Sequence, residues 1–150
     1  MVIQLTEKNI DIIVEDKVRR LARRLDLTVK QTRGQIWLCD FKGREIKLIW
    51  GYKSDVYKYK HIISCLGMNN SRLETNPDIL LFYVIRSNRF YFAWLRDLMC
   101  KSHYDLEIPG SPRAKVFPIG HFECFKPEEF GMLESYKLLA SGPQQMSLPI

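Results

Sequence analysis

The sequence predicts an α/β chain of the α+β kind: a mixed β-sheet with flanking helices. Three observations predict it. An amphipathic stretch opens the chain, three strand-like segments follow, and two more strand-like segments come after a second stretch with helical signals.

Ile10, Val14, Val18, Leu21 and Leu25 recur at four- and three-residue steps, which puts them on one stripe of a helix that Thr6 can cap. The other faces carry Lys17, Arg19, Arg20, Arg23 and Arg24, with Glu15 at the border of the stripe. Segments 28–32, 35–41 and 45–53 then read as a β-meander, the last alternating around Ile46, Leu48 and Trp50. Gly43 suits the tight turn between the second and third of these, because glycine tolerates positive φ. Ser54 is the expected cap of a second helix that carries Tyr57 or Tyr59, Ile62, Ile63 and Leu66 and ends before Gly67. A polar loop covers 68–78. Segment 79–85 reads as a buried strand, and 90–95 as its neighbour across a turn at 86–89. A short helix is expected from 127 to about 139, and a loose tail from about 141.

At 150 residues, with 46% hydrophobic content, the chain has enough apolar material for one sizeable core, so a single domain over 1–150 is expected. Aromatic residues at 12% exclude a disordered, low-complexity chain. The 23 Lys and Arg against 17 Asp and Glu leave a formal charge of +6, which favours a polyanionic partner. The longest apolar run, 79–85, is far short of a membrane span, so a soluble cytoplasmic protein is expected. Cys39, Cys65, Cys100 and Cys124 include no CxxC pair and read as reduced thiols.

Phosphodiester hydrolysis needs a hard cation to activate water and stabilise the leaving oxygen, and hard cations choose carboxylates. An acidic residue two positions before a lysine on a strand puts both side chains on one face. Asp40 ends the second predicted strand, and Gly51-Tyr52-Lys53-Ser54 ends the third. Glu15 sits on the first helix. This order resembles the PD-(D/E)XK nuclease superfamily over roughly the first two thirds of the chain. The resemblance implies a restriction-endonuclease-like fold, catalytic positions at Glu15, Asp40, Gly51 and Lys53, and magnesium held by Asp40 and Glu15, with calcium as a non-catalytic substitute. Gly51 departs from the pattern, standing where the family carries Glu, Asp or sometimes Gln. Glu45-Ile46-Lys47 is a literal alternative, and Pro77-Asp78 reads as a turn that opens a strand. Each residue also has a plain structural role open to it: Glu15 can pair with Arg19, Asp40 can hold a turn, and Lys53 can be a surface lysine.

Segment 9–50 is similar to intron-encoded homing endonucleases of this superfamily, of the kind carried in group I introns of cyanobacterial transfer-RNA genes. That likeness implies a site-specific double-strand break in a long pseudo-palindromic DNA target, a homo-oligomer that is a tetramer or else a dimer, and a nucleoid-associated location. The candidate contacts to double-stranded DNA are Lys30, Gln31, Arg33, Gln35, Lys58, Lys60, Arg86 and Arg89. A DNA-binding protein without cleavage is the alternative. Phe82, Tyr83, Phe90, Tyr91, Phe92 and Trp94 are expected to pack in the core or between subunits rather than to stack on bases.

Overall fold

The computed structural model describes residues 7–126, so the expected helix from 127 and the tail lie outside the described residues. The amphipathic stretch forms helix α1, Glu7–Arg24, whose residues Val14, Val18 and Leu21 are buried, as is Leu25 just beyond it. Asp26 closes it in the left-handed region at φ 62°, and the Leu27 N–H returns to the Ala22 carbonyl at 2.8 Å. That backbone bond satisfies one of the carbonyls that a helix end leaves open.

The meander follows as β1 (Thr28–Arg33), β2 (Ile36–Phe41) and β3 (Arg44–Lys53), antiparallel throughout. Lys42 and Gly43 turn the β2–β3 hairpin with φ of 52° and 83°, the sign that a two-residue loop between twisted strands requires. β6 (Ile79–Val84) then lies parallel to β3, and β7 (Arg89–Trp94) returns antiparallel to β6. β10 (Glu123–Phe125) pairs with β7, completing a mixed sheet in the order β1-β2-β3-β6-β7-β10. All six aromatic side chains of 82–94 singled out above are buried.

The expected second helix is a correction. Residues 54–66 form no helix; β4 (Tyr57–Tyr59) and β5 (Ile63–Asn69) make a hairpin instead, reversing at Lys60 and His61 with φ of 53° and 63°. Aromatic and β-branched side chains at Tyr57, Tyr59, Ile62 and Ile63 favour extended backbone, and this outweighed the helical spacing. Gly67 accordingly lies inside β5, not beyond a helix end. β5 pairs with β9 (Ala114–Pro118), and β9 with β8 (Tyr104–Leu106), giving a second sheet in the order β4-β5-β9-β8. Two short helices, α2 (Asn70–Leu73) and α3 (Leu95–Cys100), complete the elements that matter here.

The six-stranded sheet therefore buries its two faces against different partners. Ile46, Leu48, Trp50, Leu81, Phe90 and Phe92 pack with α1, while Ile49, Leu80, Phe82 and Tyr91 pack with Leu66, Met68 and Phe117 of the second sheet. The expected flanking helices therefore cover one face only, with α1, and a sheet covers the second. Among the described residues no helix is long and apolar enough to cross a membrane. All four cysteines are free.

Candidate functional site

A cleft of about 710 Å³ opens where β3 outruns β2. Ile36 pairs with Ile49, and the Trp50 N–H donates to the Gln35 carbonyl at 3.1 Å, after which residues 51–53 keep a strand neighbour only on the β6 side. The open edge admits groups from both faces of the sheet. α1 supplies Asp11 and Glu15, the β1–β2 turn supplies Gly34 and Gln35, and β3 supplies Trp50, Gly51, Tyr52 and Lys53. From the other side come Gly67, Met68 and Asn69 of β5 and Arg72 of α2.

Two glycines make part of this space. A Cβ on Gly51 would meet only Phe82 Cδ1, at 4.0 Å, and its φ is not of the positive kind, so a side chain there is sterically allowed. Gly67 differs. A Cβ there would lie 2.8 Å from Val116 Cγ1 and 3.2 Å from the Lys115 carbonyl oxygen, so the close approach of β5 to β9 excludes one.

The polar groups are arranged as follows. Glu15 Oε2 accepts from Arg19 Nε at 3.2 Å, and the Arg19 guanidinium also lies over the Trp37 ring at 4.8 Å. Glu15 thus has both its expected helical partner and a place on the cleft wall. Partial desolvation on the cleft wall, and then the charge of Arg72, lower the pKa of Lys53 from its ordinary 10.5, a modest effect because the side chain stays exposed at the end of β3. Arg72 Nη1 donates to Gln35 Oε1 at 2.5 Å. Asn69 Oδ1 fixes the start of α2 by accepting from the Arg72 N–H at 3.1 Å and from Ser71 Oγ at 3.0 Å. The Trp50 indole N–H is buried with no acceptor among the described residues.

Asp40 is the residue that the structure removes from this group. It pairs with Glu45 at the opposite end of the β2–β3 hairpin, and its Oδ2 accepts from the Gly43 N–H at 3.2 Å, as a turn residue does. The run of β3 from Glu45 to Lys53 separates it from Lys53 by about 26 Å at ~3.3 Å per residue. Of the four expected catalytic positions, Glu15, Gly51 and Lys53 line the cleft and Asp40 does not. The alternative unit is occupied structurally: Lys47 Nζ donates to the Thr75 carbonyl at 2.6 Å, and Glu45 lies beside the turn. Asp78 is structural as well, since its Oδ2 accepts from the Lys47 N–H at 2.8 Å where β6 begins.

The expected DNA contacts scatter. Lys30, Gln31 and Arg33 are exposed on β1, the sheet's edge strand, whereas Gln35 enters the cleft. Lys58 Nζ donates to Ser64 Oγ at 2.6 Å on the β4–β5 hairpin, and Lys60 Nζ lies 5.5 Å from the Tyr59 ring centre. Arg86 pairs with Asp55 at 3.2 Å, at the end of β3 and β6 that carries Lys53. Arg89 lies on β7, its guanidinium 3.9 Å from Cys124 Sγ.

Three lining residues, Asp11, Asn69 and Arg72, were not singled out in the sequence. Asp11 was legible in principle, one helical turn before Glu15. Arg72 and Asn69 were not, because they fall in what reads as a polar loop and reach the cleft only through the fold. Comparison with protein-family models, with curated proteins and with solved structures gives no match for this chain.

For a hard cation the cleft offers two carboxylates, Asp11 and Glu15, and Gly51 adds none. Among the described residues no three of His, Cys, Asp and Glu gather as ligands. This donor set fits magnesium, which takes one or two carboxylates, keeps several waters and relies on substrate phosphate for the rest. It suits calcium less well, because calcium asks for six to eight oxygens.

Proposed function

We propose that this chain is a double-stranded-DNA endonuclease of the PD-(D/E)XK kind, acting at the cleft where β3 ends. The observation that carries the reading is the meeting of Glu15, Gly51 and Lys53 in one cleft, although they come from a helix and a strand far apart in sequence. The element order supports a restriction-endonuclease-like arrangement: α1, an antiparallel meander, then β6 parallel to β3. The charge of +6 and the exposed cations of β1 suit a long polyanionic target, for which a pseudo-palindromic site and a homo-oligomer, tetramer or dimer, belong to the same reading. So does a cytoplasmic, nucleoid-associated location.

In this reading Asp11 and Glu15 would hold magnesium, which when bound supplies an activated water and stabilises the leaving oxygen. Lys53 contributes a charged donor to the phosphate oxygens, and its lowered pKa makes its proton easier to give up than that of a solvated lysine. Gly51 contributes space only. A second reading, DNA binding without cleavage, is favoured by that missing side chain and by the placement of Asp40.

The test is cleavage of supercoiled plasmid DNA carrying a randomised insert library, with magnesium, by the natural chain and by Gly51→Glu and Lys53→Ala. Endonuclease function predicts that Gly51→Glu gains about tenfold or more, or about 1.4 kcal/mol in the barrier, and that Lys53→Ala abolishes the gain. Salt-sensitive binding with no cleavage by any form would establish the second reading instead.

A further inference from the structure

We propose that Lys53 and Arg72 together form the seat of one phosphodiester phosphate of DNA, with Arg72 as an anion-binding residue oriented by Gln35. The inference rests on the nucleic-acid reading of this cleft and goes beyond it, because neither the strand motif nor the helix carboxylates call for an arginine at this place.

Lys53 and Arg72 carry an electrostatic cost. Lys53 and Arg72 line the same cleft, and each is near enough for the charge of one to act on the other. Two cations held together oppose each other's charge, and an anion received between them would relieve that opposition. Among the ion pairs of the described residues none involves either group. The bond that orients Arg72 comes from a neutral amide, so Gln35 fixes the guanidinium without cancelling its charge. Only Nη1 is engaged there. The remaining N–H groups keep the planar fork that matches two oxygens of a phosphate.

A second cavity of about 370 Å³ neighbours the first and shares Lys53, Gly67, Met68 and Asn69 with it, so Lys53 borders two hollows. A free phosphate needs only a pocket; a polymer needs a way in and a way out. Two neighbouring hollows along one wall offer more room than a free phosphate fills, so a phosphate within a polynucleotide is the assigned ligand.

Two measurements test this. In the first, inorganic phosphate and dimethyl phosphate are titrated into the isotope-labelled chain while the Arg72 Nε–H and Lys53 Cε resonances are followed by NMR. Both resonances should shift together, and the Lys53 pKa should move back up. In the second, affinity for a mixed-sequence duplex of about 30 base pairs is measured against salt for the natural chain, Arg72→Gln and Arg72→Lys, with folding checked by circular dichroism. Loss of one phosphate contact should reduce the slope of log affinity on log salt by about 0.9 in Arg72→Gln. Arg72→Lys should keep the slope while losing affinity, because it retains the charge and loses the fork.

An unchanged slope in a folded Arg72→Gln that still binds the duplex overturns this inference and leaves the nucleic-acid reading standing. Failure of the natural chain to bind duplex defeats both, even if free phosphate moves the two resonances. Resonances that ignore phosphate and dimethyl phosphate alike overturn the seat whatever the duplex does.

Discussion

Arg72 donates to Gln35 across 37 positions of sequence, at 2.5 Å, and so ties the turn before β2 to the short helix after β5 at the edge of the cleft. The bond joins elements on two different sheets, and it decides where the guanidinium points. Because the acceptor is an amide, the cleft keeps the charge of both Arg72 and Lys53.

Gln35→Glu should therefore act as a near-isosteric charge switch. A carboxylate at that point would neutralise Arg72, strengthen the tether and raise the Lys53 pKa. Duplex affinity is expected to fall by about tenfold, or about 1.4 kcal/mol, with thermal stability unchanged or higher. Binding isotherms and a melting curve on the same preparation check both halves, and an unaltered affinity would count against the cleft as the DNA-contacting surface.

Gly51 and Gly67 of the cleft wall should respond in opposite directions. Gly51→Ala adds a methyl group with only an ordinary contact to Phe82, and it removes glycine's extra chain entropy, so stability should hold or rise by about 0.5–1 kcal/mol. Gly67→Ala presses on Val116 and the Lys115 carbonyl and should lose about 1–3 kcal/mol. Denaturant midpoints for the two variants decide this; equal effects would mean that β5 and β9 do not approach as closely as described.

If the endonuclease reading holds, Asp40→Ala should leave cleavage and DNA affinity alone. Its carboxylate serves the hairpin turn through Gly43, an exposed bond whose loss costs at most about 1 kcal/mol. A loss of cleavage in the folded variant would restore Asp40 to the catalytic group and overturn its placement.

Lys53 makes stability depend on alkaline pH in a definite direction. Its folded pKa lies below the ordinary 10.5, so between the two values the unfolded chain holds more proton and stability rises with pH. The penalty for holding the ammonium charged is complete at neutral pH and relieved above the lowered value. Lys53→Met should melt higher than the natural chain near pH 7, and the difference should shrink as pH approaches 10.5.

Cys39 works against this trend. Burial pushes its thiol from 9.0 up to about 11, so its contribution is complete below pH 9.0 and is lost as pH rises through about 11. The Lys53 effect must therefore be read as the difference between variant and natural chain at each pH. Cys39→Val should flatten the alkaline decline of the natural chain, and a thiol reagent should label Cys39 more slowly than the exposed Cys100.

Much of the framework was legible in the residues themselves. The stripe through Val14, Val18, Leu21 and Leu25 determined α1, and alternation around Ile46, Leu48 and Trp50 determined β3, because a helix repeat and a strand repeat leave different marks on a sequence. The apolar run at 79–84 likewise required a strand buried on both faces. Glu15 and Lys53 were within reach for the same reason, since each lies at a fixed offset from a clear apolar pattern. What the tertiary structure decided was long-range. Segment 54–66 had spacing compatible with a helix and side chains compatible with a strand, and pairing of β5 with β9 settled it. Asp40 lies 13 positions before Lys53, yet the hairpin register sends it to the far end of the strand. Arg72 gave no local signal at all. Whether a polar side chain reaches a cleft depends on strand register and on sheet-to-sheet packing, and neither leaves a periodic trace in the chain that it arranges.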